Sequence, residues 1–142
     1  MSPTFENKEI FLTKNFNYKK DSINRFDVVA VLDPQDNLST LIKRVVALPN
    51  ETVEIKEGFI YLNEKKLEDP FGDGSKICFY LVDENDEHLI EWETGKKVVR
   101  NISEKEMTVP ENHLWVIGDN RGGSWYGLVK IKEVKGKVLW TY

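Results

Sequence analysis

Lys43 stands inside an apolar run, Leu41-Ile42-Lys43-Arg44-Val45-Val46-Ala47-Leu48, and a compact polar segment, Gly118-Asp119-Asn120-Arg121, returns much later in the chain. An ammonium among Ile42, Val45, Val46 and Leu48 is poorly hydrated, and desolvation favours the neutral amine. Neutral lysine is a base. Bringing a reference pKa of about 10.4 down to about 7 or 8 takes roughly 3 to 5 kcal/mol at about 1.36 kcal/mol per unit, which partial burial supplies. The two segments together suggest hydrolysis by a serine working with a lysine base. An edge-strand lysine pointing at water is the reading that this segment alone leaves open.

The elements that must position Lys43 are mostly β. Val28–Leu32 is an apolar run bounded by Asp27 and by Asp33-Pro34, the pattern of a buried strand between turns. Gln35-Asp36-Asn37 makes a turn, and Thr40–Leu48 returns as the second arm of a hairpin that sets Lys43 across from Val28–Val31. Thr52–Lys56 alternates apolar and polar residues, Glu57-Gly58 turns, Phe59–Leu62 returns, and Asn63-Glu64 turns again. Residues 65–112 are more acidic. Short strands at Ile77–Val82, His88–Trp92 and Lys97–Ile102 suggest a small antiparallel unit inserted into the main sheet, leaving a core of 1–64 and 113–142. Leu114–Ile117 re-enters that core, and Ser103-Glu104-Lys105-Glu106 has the form of a single helical turn.

Composition narrows the function classes. One domain of 142 residues with 40% hydrophobic content can bury a core. A net charge of −4 provides no basic footprint, which argues against a nucleic-acid partner. The only cysteine, Cys78, reads as a small buried hydrophobe, and His88 and His113 lack the neighbours of a metal site, so neither a metal nor a cofactor is expected. Asn50-Glu51-Thr52 and Asn101-Ile102-Ser103 match a glycosylation triplet that is frequent by chance. No run of 18 apolar residues is present to span a membrane.

Five blocks in a fixed order carry a resemblance: Met1-Ser2-Pro3-Thr4-Phe5, Arg25-Phe26-Asp27-Val28-Val29, Lys43-Arg44 through Glu51, Gly118-Asp119-Asn120-Arg121 with Ser124, and Gly136-Lys137-Val138. Their order resembles the type I signal peptidases, membrane-anchored serine–lysine enzymes that remove signal peptides from exported proteins. That family reads S-M-x-P-T, R-G-D-x-V-V, K-R-x-x-G-x-P-G-[DE] and G-D-N-R-x-x-S before a strand near G-K-V. The likeness runs the length of the chain, and its short length resembles the Gram-positive members. It implies a mostly β fold, a signal-peptidase-type antiparallel catalytic core with a small inserted β subdomain.

The resemblance also assigns roles. Lys43 is the implied general base, and Ser124 the hydroxyl that orients it. The nucleophilic serine falls one residue before Met1; Ser2 holds the variable place in that block and is the weaker substitute, because neighbouring side chains of an extended chain alternate. Met1, Ser2, Phe5, Ala30, Leu41 and Ile42 match substrate-binding positions, where shallow pockets would select small residues before the cut by exclusion. Ordinary core packing is an equal reading of Ala30 and Ile42. Arg25, Asp27, Arg44, Asp119 and Arg121 match bracing positions. Trp125-Tyr126 stands where the family carries Asp-Ser-Arg, so an ion pair beside the site is expected to be absent or replaced by aromatic packing. The implied setting is the extracytoplasmic side of the cell membrane, on a single-pass anchor before the nucleophile, with an apolar rim at Met1, Phe5 and Phe11 against lipid. The implied partners are signal peptides of exported preproteins, pilins among them. A non-catalytic assembly factor binding pilins and a self-cleaving domain of the SOS-repressor type are the competing readings. The Met1–Thr4 block and the lack of a DNA-binding segment oppose the second.

Overall fold

The computed structural model describes residues 11–33, 36–72, 74–80, 90–91, 96–97 and 99–141. Among them the chain forms fourteen strands: β1 (Phe11–Asn15), β2 (Val28–Leu32), β3 (Thr40–Ala47), β4 (Thr52–Lys56), β5 (Phe59–Leu62), β6 (Lys65–Lys66), β7 (Cys78–Tyr80), β8 (Ile90–Glu91), β9 (Lys96–Lys97), β10 (Val99–Asn101), β11 (Glu104–Thr108), β12 (His113–Ile117), β13 (Tyr126–Lys130) and β14 (Val134–Thr141). One 3-10 turn, Ile131–Glu133, interrupts them. All the strand pairs are antiparallel, so the fold is mostly β as the patterning predicts.

The main sheet has the order β1-β14-β2-β3-β12-β13, and a second runs β11-β4-β5-β6. Strand β3 is central to the first. Its residues from Lys43 to Ala47 are buried without interruption, because both of its faces are covered. Alternation divides them: Val45 joins Val29, Val31 and Val116 in one apolar cluster, while Val46 joins Val53, Ile55, Ile60 and Ile117 in another between the two sheets. Fully burying each such side chain contributes about 1.5 to 3 kcal/mol, which fixes the register.

Turn chemistry agrees with the sequence at three hairpins. Asp36 accepts hydrogen bonds from the backbone N–H of Leu38 and Ser39, closing the β2–β3 connection at 2.7 and 2.8 Å. Glu57 and Gly58 have φ of 49° and 83°, and Asn63 and Glu64 have φ of 48° and 69°, the double-positive pairs that match strand twist in two-residue hairpins. At Gly58 a Cβ would sit 2.7 Å from Lys76 Cβ and 2.8 Å from the Ile77 carbonyl, so the β4–β5 tip docks there only as glycine.

Two expectations meet different outcomes. The helical turn expected at Ser103–Glu106 is instead strand β11, paired with β4 through Glu104↔Ile55 and Met107↔Val53. A capping pattern without an apolar helical face behind it yields to a free sheet edge. Within 65–112, paired strands form at β7–β10 and β8–β9, while residues 81–89, including His88, lie outside the described residues. This excursion also supplies the main core: Ile77 and Val109 are 1% and 0% exposed. Excising 81–98 with a short link between β7 and β10 should therefore preserve cooperative melting. Replacing all of 65–112 by a linker from Glu64 to His113 should abolish it, as calorimetry would show.

Candidate active site

Strand β3 presents Lys43 and Arg44 on opposite faces, and the loop that leaves β12 meets both. Lys43 is 7% exposed and donates from Nζ to Ser124 Oγ at 2.9 Å. Nζ also lies 5.8 Å from the centroid of the Trp125 ring. Burial holds the Lys43 amine below its ordinary value, and the charge of Asp33 pulls in the opposite direction as the smaller effect. The arrangement is a desolvated amine with one hydrogen directed at a hydroxyl, which leaves the nitrogen lone pair of the neutral form free to accept a proton.

Gly118 makes the approach possible. A Cβ there would overlap Ser124 Oγ, and would lie 2.8 Å from Ser124 Cβ and 3.4 Å from Lys43 Nζ. On the other face, Arg44 binds Asp119 in the two-pronged manner of guanidinium and carboxylate, Nε to Oδ1 at 2.8 Å and Nη2 to Oδ2 at 2.7 Å. Its third arm donates to the Phe26 carbonyl at 2.8 Å, and the Phe71 ring centroid lies 3.6 Å from its guanidinium carbon. Arg121, 2% exposed, donates to the Gly118 carbonyl at 2.6 Å and to Asp69 Oδ2 from Nε and Nη2 at 2.9 and 2.6 Å.

Arg25 and Asp27 do not partner each other. Arg25 grips Glu51 at 2.8 and 2.6 Å and donates to the Val46 carbonyl, and its guanidinium holds the Glu51 carboxyl below the usual range. Asp27 pairs with Lys137 at 2.7 Å, which ties the Gly136-Lys137-Val138 segment of β14 to the start of β2. Phe26 and Asn50 have φ of 70° and 68°, and each stands where the resembling pattern carries glycine. Asparagine tolerates this region; phenylalanine sits there under strain, held by the Phe71 ring 5.3 Å away and by its own N–H bonded to the Val45 carbonyl at 2.7 Å.

Of the expected substrate-binding residues, Met1, Ser2 and Phe5 lie outside the described residues. Ala30 is buried opposite Ile42, and alternation puts this pair on the face away from Lys43; half-buried Leu41 shares the Lys43 face. Trp125 and Tyr126 flank the site by aromatic packing, Tyr126 against Trp115 at 5.4 Å, and Tyr126 donates to Glu104 at 2.7 Å. Cys78 is only half-buried, and its thiol donates to the Gly122 carbonyl at 3.3 Å on the same loop. Asp69 and Phe71 are neighbours of the site that sequence reading missed, and Glu51 was read only as part of the Lys43-Arg44 block. The only trace of the first two was a turn, Asp69-Pro70-Phe71-Gly72. Among the described residues, no group of three or more His, Cys, Asp or Glu could hold a metal ion, and no helix is long and apolar enough to cross a membrane.

An antiparallel β core thus presses a desolvated lysine against a serine hydroxyl. The chain belongs to the signal peptidase family, described as "Signal peptidase, peptidase S26", whose profile it matches over residues 1–142. It is 31% identical to signal peptidase I V of Bacillus subtilis (strain 168) over 97% of this chain and 77% of that one. It is 30% identical to signal peptidase I of Bacillus caldolyticus over 100% of this chain and 74% of that one. Among solved structures, a signal peptidase I from Enterococcus faecalis V583 superposes with a TM-score of 0.54 at 26% identity, covering 84% of this chain and 98% of the other.

Two measurements probe the geometry. Asp119→Ala should cost about 3 to 5 kcal/mol in denaturant unfolding, because it leaves Arg44 buried without its carboxylate. For Lys43, the folded value lies below the unfolded value near 10.5, so the unfolded chain binds more protons between the two and stability rises with pH across that window. Below the window the buried ammonium carries its full penalty. Lys43→Met should therefore melt higher than wild type, with a gap that is widest at neutral and acid pH and narrows towards pH 10.5. A gap independent of pH would remove the desolvated base.

Proposed function

We propose that this protein is a serine endopeptidase that removes signal peptides from exported preproteins, with Lys43 as its general base. The observation that carries the reading is the buried Lys43 amine bonded to Ser124 at 2.9 Å, in a chain whose relatives are named signal peptidase I. The nucleophile is the serine that the family pattern places immediately before Met1. Its hydroxyl attacks the scissile carbonyl carbon while its proton passes to neutral Lys43 Nζ. The tetrahedral adduct then collapses: the C–N bond breaks, the Lys43 ammonium returns the proton to the leaving amine, and an acyl-serine remains. Water attacks that ester with Lys43 again taking the proton, which frees the signal-peptide carboxylate and restores the serine. Ser124 keeps the amine aimed through its accepted hydrogen bond. An extended substrate adds as a strand, and a small pocket near Leu41, on the Lys43 face, excludes large residues before the cut. The same reading puts the domain on the extracytoplasmic side of the cell membrane on a single-pass anchor, where preproteins emerge, with pilins among its substrates.

The test uses the full-length protein and a precursor with an Ala-x-Ala site. Lys43→Ala should abolish processing while the fold survives, and Lys43→Arg should fail as well, since guanidinium stays protonated. Ser124→Ala should be milder, losing a hydrogen bond worth about 0.5 to 1.5 kcal/mol and hence roughly tenfold in rate. Wild-type rates should rise with pH through the lowered Lys43 value, because only the neutral amine accepts the proton. Undiminished cleavage by the Lys43→Ala protein would exclude the mechanism.

A further inference from the structure

We propose that Asp69 is a positioning residue for the Lys43–Ser124 pair, acting through Arg121 and the carbonyl of Gly118. The inference rests on the reading of Lys43 as base. Four charges alternate behind the site: Arg44, Asp119, Arg121 and Asp69. Asp119 is already engaged through both oxygens by Arg44 and stands 3.5 Å from Arg121. Asp69 is therefore the carboxylate that balances Arg121, and one oxygen, Oδ2, receives two of its N–H groups. The remaining strong contact of that guanidinium is the Gly118 carbonyl at 2.6 Å. Gly118 has no slack, because its Cα faces Ser124 Oγ with no room for a single carbon between them.

A displacement of Arg121 would thus pass to Gly118, from there to Ser124, and from Ser124 to the amine. Without Asp69, the nearest carboxylate left to Arg121 is Asp119, and movement towards it would pull the Gly118 carbonyl along. The turn that carries Asp69 is built for the contact. At Gly72 a Cβ would stand 2.8 Å from Arg121 Nε and 2.9 Å from Asp69 Oδ2. Phe71 of the same turn lies over Arg44, so a single short segment holds the outer arginine and the inner one. On its outer side the pair borders a cavity of about 210 Å³, lined in part by Lys66, Leu67, Asp69, Ser75 and Arg121.

The test compares full-length wild type with Asp69→Asn, Asp69→Glu, Gly72→Ala and, as a stability control in the neighbouring core, Ile55→Val. Preprotein cleavage and the titration of Lys43 Nζ by heteronuclear NMR on lysine-labelled protein are both measured. Asp69→Asn should lower kcat between about tenfold and a hundredfold with KM within about twofold, the scale of a small misplacement of reacting groups. It should also move the Lys43 titration, and the acidic limb of the rate profile, to higher pH as water reaches the loosened amine. Asp69→Glu should recover most of the rate. Gly72→Ala keeps both charges but forces them apart, and should reproduce the Asp69→Asn effects even if Asp69→Asn itself folds poorly. If Asp69→Asn and Gly72→Ala melt lower yet keep wild-type kcat and Lys43 titration, as Ile55→Val should, Asp69 only braces the fold and the inference is wrong. If wild type processes no preprotein, the functional reading fails on its own and the Lys43 titration in the variants decides the inference.

Discussion

The buried ion pair between Arg44 and Asp119 is the constraint on which the rest of the site depends. Two charges at 4% and 0% exposure are tolerated only because every prong of the guanidinium is used: two on Asp119, one on the Phe26 carbonyl, with the Phe71 ring over its face. The pair fixes the Gly118–Ser124 loop to strand β3 at one point. Because side chains alternate along β3, the neighbouring Lys43 emerges on the opposite face and meets the far end of the same loop at Ser124. The loop grips the strand from both sides, and the Lys43–Ser124 distance is set by a bond made on the other side of the sheet.

The same economy explains two residues in left-handed backbone, one of them strained. Phe26 and Asn50 both adopt left-handed backbone, one on each side of β3 in the chain. Each lies beside an arginine contact: Arg44 with the Phe26 carbonyl, and Arg25 with Glu51 next to Asn50. Local backbone strain of this kind costs about 1 to 3 kcal/mol and persists where surrounding contacts over-determine it. Here the contacts are the arginine bonds and the Phe26–Phe71 packing.

Electrostatics within the site are divided by function. Arg44, Arg121 and Arg25 are each matched with a carboxylate, whereas Lys43 lies across from Val29, a member of the apolar cluster that also holds Val45, and has a hydroxyl as its hydrogen-bond partner. Burial thus leaves a lysine with a depressed pKa in the core. Its destabilising burial is offset by the valines around it, each worth more buried than exposed.

How much of this was legible in the sequence differs from residue to residue. The apolar run 28–32, the Lys43-Arg44 strand and the turn pairs Glu57-Gly58 and Asn63-Glu64 were readable because hydrophobic alternation and positive-φ turns are local properties. That Gly118-Asp119-Asn120-Arg121 would return to Lys43-Arg44 was readable from their resemblance to one family pattern. The helical turn expected at Ser103–Glu106 became β11 because the open edge of β4 decided it, and no local pattern announces a distant edge. Arg25 found Glu51, and Arg121 found Asp69, because a carboxylate's partner is chosen by which segments the sheets bring together. The sequence by itself determined most of the strands, the hairpin turns and the placement of a lysine inside an apolar strand. Only the tertiary structure decided which hydroxyl meets it and which acids hold the arginines behind it, since those contacts join residues 52 to 81 positions apart and depend on the packing of whole sheets.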